Sequence, residues 1–293
     1  MEKTFLFRQN NGTSSPLTCI DVDSKGKFIV CGNTASSVFI VDAKNGRLKQ
    51  TIEGHDAKIT DVTFVQNRFH VLSCSWDATT RLWDSKEKGE PRVLKHGSEV
   101  KSLTASLALG KGAAGARDGE LKIFSLRTMK NLRNIPAHKS DISGLAILDD
   151  DSKLVTSSWD GECKLWNLTS FELEQELVTK KERIRALAAT PDGSKIALGM
   201  HSGKILLIDL ENPSEIKQLV AHSDIVDSLS IDSTGERLVS GSWDRTIRLW
   251  SLNRNKEISS GKLLAGITAV EWNPKDEVVY SADFSGAITS WRI

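Results

Sequence analysis

The side chains that do most protein chemistry are sparse in this chain. Six histidines occur, His55, His70, His96, His138, His201 and His222, and no two stand as H-x-x-x-H. The four cysteines, Cys19, Cys31, Cys74 and Cys163, form no C-x-x-C pair, and there is no Gly-rich phosphate loop. The local signatures of a metal centre or a nucleotide cradle are therefore missing. No nucleophile stands beside a positioned base. These observations lead us to expect no catalytic residues, no cofactor and no metal. What the chain offers is recognition chemistry. Trp76, Trp159 and Trp243 lie in three near-copies of one decapeptide: SWDATTRLWD at 75–84, SWDGECKLWN at 158–167 and SWDRTIRLWS at 242–251. Tryptophan and arginine dominate the energetics of protein interfaces.

The elements that must position these residues repeat with a fixed period. An apolar pair spaced by three opens each of seven units: Leu17/Ile20, Ile59/Val62, Val100/Leu103, Ile142/Leu145, Ile184/Leu187, Val226/Leu229 and Ile267/Val270. Successive units are 41 or 42 residues apart and fill nearly all of the 293 residues. Each unit breaks into short runs of alternating apolar and polar residues with Gly, Asn, Asp or Ser at the joints. DIVDSLSID, RLVSGSW, TIRLWSL and ISSGKLL in the sixth unit are four strands. Asp-Gly at 118–119 and 160–161 and Ser-Gly at 202–203 and 285–286 suit tight hairpins. Helical periodicity is absent. A four-stranded sheet that is apolar on both faces cannot stand alone and must stack on a neighbour at each side. The expected fold is all-β: a seven-bladed β-propeller of four-stranded antiparallel blades, one domain over 1–293, with blades starting near 16, 58, 99, 141, 183, 225 and 266. The last unit supplies only three strands, while KTFLFR at 3–8 is an alternating strand with no unit of its own. Residues 3–8 are expected to become the outer strand of blade seven, beside 287–292, and so to close the ring.

The repeated residues resemble the WD-repeat propellers. Gly54-His55, the turn residue Asp77 and the pair Trp83-Asp84 carry the resemblance, and His138, Asp160, Trp166-Asn167 and His222, Asp244, Trp250-Ser251 repeat it. The resemblance covers the whole chain. It implies a hydrogen-bonded chain of His, Asp, a strand hydroxyl and Trp in each well-formed blade. Complete sets are His55, Ser73 or Ser75, Asp77 and Trp83; His138, Ser157 or Ser158, Asp160 and Trp166; and His222, Ser240 or Ser242, Asp244 and Trp250. Unit three keeps His96 and Asp118 but has Phe124 in the Trp place. Units one, five and seven have Ala35, Ser202 and Ser285 at the turn, so no network is expected there and packing must suffice.

The residue before the turn Asp reads, around the ring, Thr34, Trp76, Arg117, Trp159, His201, Trp243 and Phe284. By resemblance this position lies on the face that commonly binds partners. Trp76, Arg117, Trp159, His201, Trp243 and Phe284 are the candidate partner-binding residues. The alternative is that each Trp folds over its own blade and shields the His–Asp bond. Lys180, Lys181, Arg183 and Arg185 form a local basic run. Such a run is more often a solvated edge; if it acts, it favours an acidic peptide beside the aromatics. Asp21 and Glu271 occupy matching places on the first strands of units one and seven. They could bind a cation in the central channel, though two solvated carboxylates is the plainer reading.

Composition is consistent with this picture. With 39% hydrophobic and 26% charged residues and a formal net charge of +1, the chain gives no electrostatic argument for nucleic acid or an anionic membrane. The cysteines sit in apolar runs and read as buried thiols of a reducing compartment, cytoplasmic or nuclear. The expected function is a non-catalytic scaffold that binds other proteins or peptides on an aromatic-rich face, as a monomeric propeller within a larger complex. Two alternatives stand beside it: a propeller enzyme with a channel metal or acid–base site, and a subunit of a ribonucleoprotein or chromatin assembly.

Overall fold

The computed structural model describes residues 1–8, 15–65, 70–84, 86, 89–148, 152–275 and 277–293. They form seven four-stranded antiparallel sheets and no helix. The inner strands are Leu17–Val22, Ile59–Val65, Val100–Ser106, Ile142–Ile147, Ile184–Ala189, Val226–Ile231 and Ile267–Trp272. Each packs on the inner strands of the two adjoining blades, and blade seven also packs on blade one, so the ring is closed.

The core is divided among the gaps between blades. Seven apolar clusters fill seven gaps. Between blades six and seven, for instance, Val239, Ile247 and Leu249 meet Ile267, Val270, Trp272, Val279 and Trp291. Each fully buried side chain of this kind contributes roughly 1.5–3 kcal/mol, and the burial is complete only when two blades stack. Close approach also limits side-chain size. A Cβ at Gly32 or Gly241 would lie 2.4 or 2.6 Å from a methyl of Ile59 or Ile267 on the next blade.

The ring closes through its first strand. Glu2–Arg8 pairs antiparallel with Ala287–Arg292, from Glu2 opposite Arg292 to Arg8 opposite Ala287. Phe7 is buried against Phe39 of blade one, with ring centres 6.1 Å apart. The Lys3 ammonium donates to the Lys262 carbonyl of blade six at 2.8 Å. One strand therefore touches three blades.

The hydrogen-bonded networks are present in blades two, four and six. In blade two His55 Nδ1 meets Asp77 at 2.6 Å, His55 Nε2 meets the Ser73 hydroxyl at 2.8 Å, and the Trp83 indole donates to that hydroxyl at 2.7 Å. Blade six repeats this with His222, Asp244, Ser240 and Trp250. In blade four the hydroxyl belongs to Thr156, not to Ser157 or Ser158: it meets His138 Nε2 at 2.7 Å and accepts from Trp166 at 3.0 Å. Ser157 points to the opposite face of its strand, and Ser158 caps the turn by accepting the Asp160 N–H at 3.1 Å. Trp can only donate, so the shared hydroxyl accepts from Trp and gives its own proton to His Nε2; Nδ1–H then points at the carboxylate. Burial lowers the pKa of His138 and His222 and so favours this neutral form. Burial works to raise Asp160, but the Lys139 and Glu162 backbone N–H groups and His138 hold it below its ordinary value.

Two expectations need correction. Blade seven retains half a network, since the Trp291 indole donates to Ser281 at 2.8 Å. In blade three His96 does not bond Asp118; it reaches back to Thr80 of blade two at 2.9 Å. Among the described residues, His138, Asp160 and Glu162 form a three-ligand group. Both imidazole nitrogens are already bonded and Glu162 pairs with Lys164 at 2.7 Å, so this group is structural.

Candidate protein-docking face

Two local features repeated in every blade place the candidate residues. The first is a pinned pair. The N–H of each ring residue donates to the carbonyl of the residue that precedes the inner strand: Thr34 to Pro16, Trp76 to Lys58, Arg117 to Glu99, Trp159 to Asp141, His201 to Arg183, Trp243 to Ile225 and Phe284 to Gly266. These bonds hold the ring residues beside the start of the inner strands. The second is a register shift at the second residue of each inner strand, seen in all seven blades. Such bulges re-aim a side chain. Here the displaced residues include Lys101, Arg185 and Asp227, which line a cavity of about 320 Å³ at the channel mouth with Lys58, Trp243 and Phe284.

The result is one continuous cluster and three outlying positions. Arg185 lies 4.7 Å from the Trp159 ring centre and 5.5 Å from that of Trp243. Trp243 meets Phe284 edge-on at 5.3 Å. Asp227 ties the cluster together, accepting from Arg185 at 2.6 Å and from the Trp243 indole at 2.9 Å. Trp76 stacks apart, under the Lys58 ammonium at 5.1 Å. Arg117 is exposed and paired with Glu99 at 3.0 Å. His201 is exposed in its turn. Trp76, Trp243 and Phe284 keep 45%, 37% and 40% of their surface in water. Trp159 is half-buried, hemmed by Lys101, Arg183 and Arg185 at 5.0, 5.1 and 4.7 Å from its ring centre.

Sequence reasoning missed Lys101, Asp227 and Leu264. Leu264 lies in the loop before blade seven, two residues from Gly266, and is 98% exposed. Single exposed leucines are common, so nothing in its sequence context marks it out. Asp21 and Glu271 do not form a solvated pair. Asp21 accepts from Thr63 and from the Phe64 N–H of blade two at 2.9 and 2.7 Å, and Glu271 accepts from Ser230 of blade six at 3.1 Å. Asp61 plays the same part toward the Leu103 N–H of blade three at 3.0 Å. Burial pushes Asp61 up to about 7, and burial with the neighbouring Asp21 pushes Glu271 up to about 8. These carboxyls join adjoining blades.

Comparison with known proteins agrees with the geometry. The family model described as WD domain, G-beta repeat matches residues 46–84, 129–167 and 213–251. Those three segments end on the three complete networks. The chain is a WD-repeat propeller. It is similar to Autophagy-related protein 16 of Arabidopsis thaliana, 23% identical over 154 residues, which is 52% of this chain and 30% of that protein. It is also similar to the Periodic tryptophan protein 2 homolog of Schizosaccharomyces pombe, 29% identical over 48% of this chain and 17% of that protein. The WD repeat-containing protein 89 homolog of Dictyostelium discoideum is 25% identical over 48% of this chain and 40% of that protein. The matches thus span less than half the length of each relative.

Proposed function

We propose that this propeller is a non-catalytic interaction scaffold that docks a peptide or partner domain on the face bearing Trp76, Arg117, Trp159, His201, Trp243 and Phe284. The observation that carries the reading is the joined cluster of Trp159, Arg185, Trp243 and Phe284 at the channel mouth, with the exposed Trp76 and Leu264 on the same face. Half-exposed aromatic rings beside arginine are the side chains that supply most binding energy at protein interfaces, and exposed apolar patches mark such surfaces. The mechanism is rigid presentation. Pinned backbone and networked turns fix the rings before a partner arrives, so little ordering cost is left to binding. The role in a larger complex is supported by relatives in which the matching segment is a minor part of a longer protein. Four unpaired, buried cysteines support a reducing compartment, cytoplasm or nucleus. Affinity purification with wild type and with Trp76→Ala, Trp159→Ala and Trp243→Ala combined tests the site: partners held by wild type should be lost from the folded variant.

A further inference from the structure

The channel mouth carries more positive charge than its own carboxylates balance. Lys101, Arg183 and Arg185 all lie close to the Trp159 ring. Lys58 is a fourth cation on the same rim. Asp227 faces them, but its two oxygens are committed to Arg185 and the Trp243 indole. Asp141 acts on Lys101 through space and makes no ion pair with it. Asp61 and Glu271 line the cavity, and burial raises both, Asp61 to about 7 and Glu271 to about 8, so neither is a full negative charge near neutral pH. Burial and then the nearby Arg185 push Lys101 down to about 8, and Asp227, which opposes them, does not offset the crowding. Among the described residues neither Lys58, Lys101 nor Arg183 has a carboxylate partner. The Trp159 indole N–H and Arg185 Nε are buried with no acceptor, and buried donors in that state are uncommon.

We infer that this mouth receives a carboxylate, an aspartate or glutamate side chain from an extended segment of a partner protein, set beside Trp159 between Lys101, Arg183 and Arg185. The inference rests on the docking reading above and adds the chemistry of the partner. A carboxylate is acceptor-only, so it supplies what crowded ammonium and guanidinium donors lack. A nucleic-acid strand fits less well. Arg117, on the blade that supplies Lys101, is spent on Glu99, so the cations form a pocket and not the continuous basic track that a phosphodiester backbone follows.

The test uses the whole chain and fluorescent short peptides with common randomised flanks and a central Glu, Gln or phosphoserine, with single-stranded oligouridine as a further probe, at constant ionic strength. The Glu pool should bind at least about tenfold more tightly than the Gln pool, as a charge-assisted contact requires. Lys101→Gln with Arg183→Gln should reduce the Glu pool to the Gln level. Lys101→Arg with Arg183→Lys, which keeps both charges, should retain most of the preference, and unchanged melting of both variants shows that folding is intact. Equal binding of the Glu and Gln pools overturns the carboxylate. If that equal binding is still lost in the triple Trp variant, the docking reading survives; if Trp substitution changes nothing, both fall. Tighter binding of the phosphoserine pool or of oligouridine, abolished by the two Gln substitutions, overturns the carboxylate in favour of a phosphate-bearing ligand.

Discussion

Replacing Thr156 by Val isolates the network in blade four. Valine has the shape of threonine, so the change leaves no cavity and removes only a hydroxyl. That hydroxyl is fully buried and serves two partners, His138 Nε2 at 2.7 Å and the Trp166 indole at 3.0 Å. Each buried group left unpaired costs roughly 1–3 kcal/mol, so Thr156→Val should destabilise the protein by about 2–6 kcal/mol, a large share of the roughly 5–15 kcal/mol that holds a typical domain folded. Two companion substitutions fix the interpretation. Thr156→Ser keeps the hydroxyl and should cost about 1 kcal/mol for the lost methyl. Ser157→Ala removes a hydroxyl that makes one 3.4 Å contact with Ser143, and should cost less than about 1 kcal/mol. Urea unfolding followed by tryptophan fluorescence gives the three values, compared at constant denaturant slope. A Thr156→Val protein within about 0.5 kcal/mol of wild type, the range of an ordinary surface change, or a Ser157→Ala protein that loses more, would refute the assignment of the hydroxyl.

Two further perturbations address the ring. Deleting residues 2–8 removes a strand paired along its length with blade seven and exposes the site of Phe7; the melting temperature should fall by about 10 °C or more, and an unchanged value in thermal scans would contradict closure by this strand. Glu271 binds a proton in the folded protein over the window from its ordinary 4.5 to about 8, where the unfolded chain has released it. Its contribution is therefore full below 4.5 and is lost as pH rises through about 8, so Glu271→Gln should match wild type near about pH 4.5 and exceed it near about pH 8.5 by on the order of a few kcal/mol. A parallel pH–stability profile for the two proteins would show that the buried carboxyl does not titrate in this way.

Much of this architecture is legible in the chain because its determinants are local. Alternation with period two and turn residues at steps of 41 or 42 dictate stacked blades, and KTFLFR has nowhere else to pair. Three features are not legible, for physical reasons. Thr156 was hidden because threonine and serine hydroxyls are interchangeable as partners, and two adjacent serines lay next to it. Ser36, Ala78 and Arg245 hold positive φ of 68°, 60° and 74° at turns where other blades use glycine; no residue type announces this, and the bonded turns around them must sustain it. The crowding of Lys58, Lys101, Arg185 and Asp227 depends on the bulge in each inner strand and on ring closure, which bring together residues from four different blades. The ring of Trp76, Trp159, Trp243 and Phe284 could be aligned from sequence, yet its division into a joined cluster and a separate Trp76 follows from the bulge residues Arg185 and Asp227, which bridge Trp159 and Trp243, while Trp76 lies under Lys58 of its own pinned pair.

The proposed docking face is tested most directly by affinity purification coupled to mass spectrometry, with wild type beside the Trp76→Ala, Trp159→Ala, Trp243→Ala protein. The variant should stay folded with a cooperative melt, lowered by the lost ring contacts, and lose the partners that wild type retains. A variant that folds and keeps every partner would place the binding surface elsewhere on the propeller.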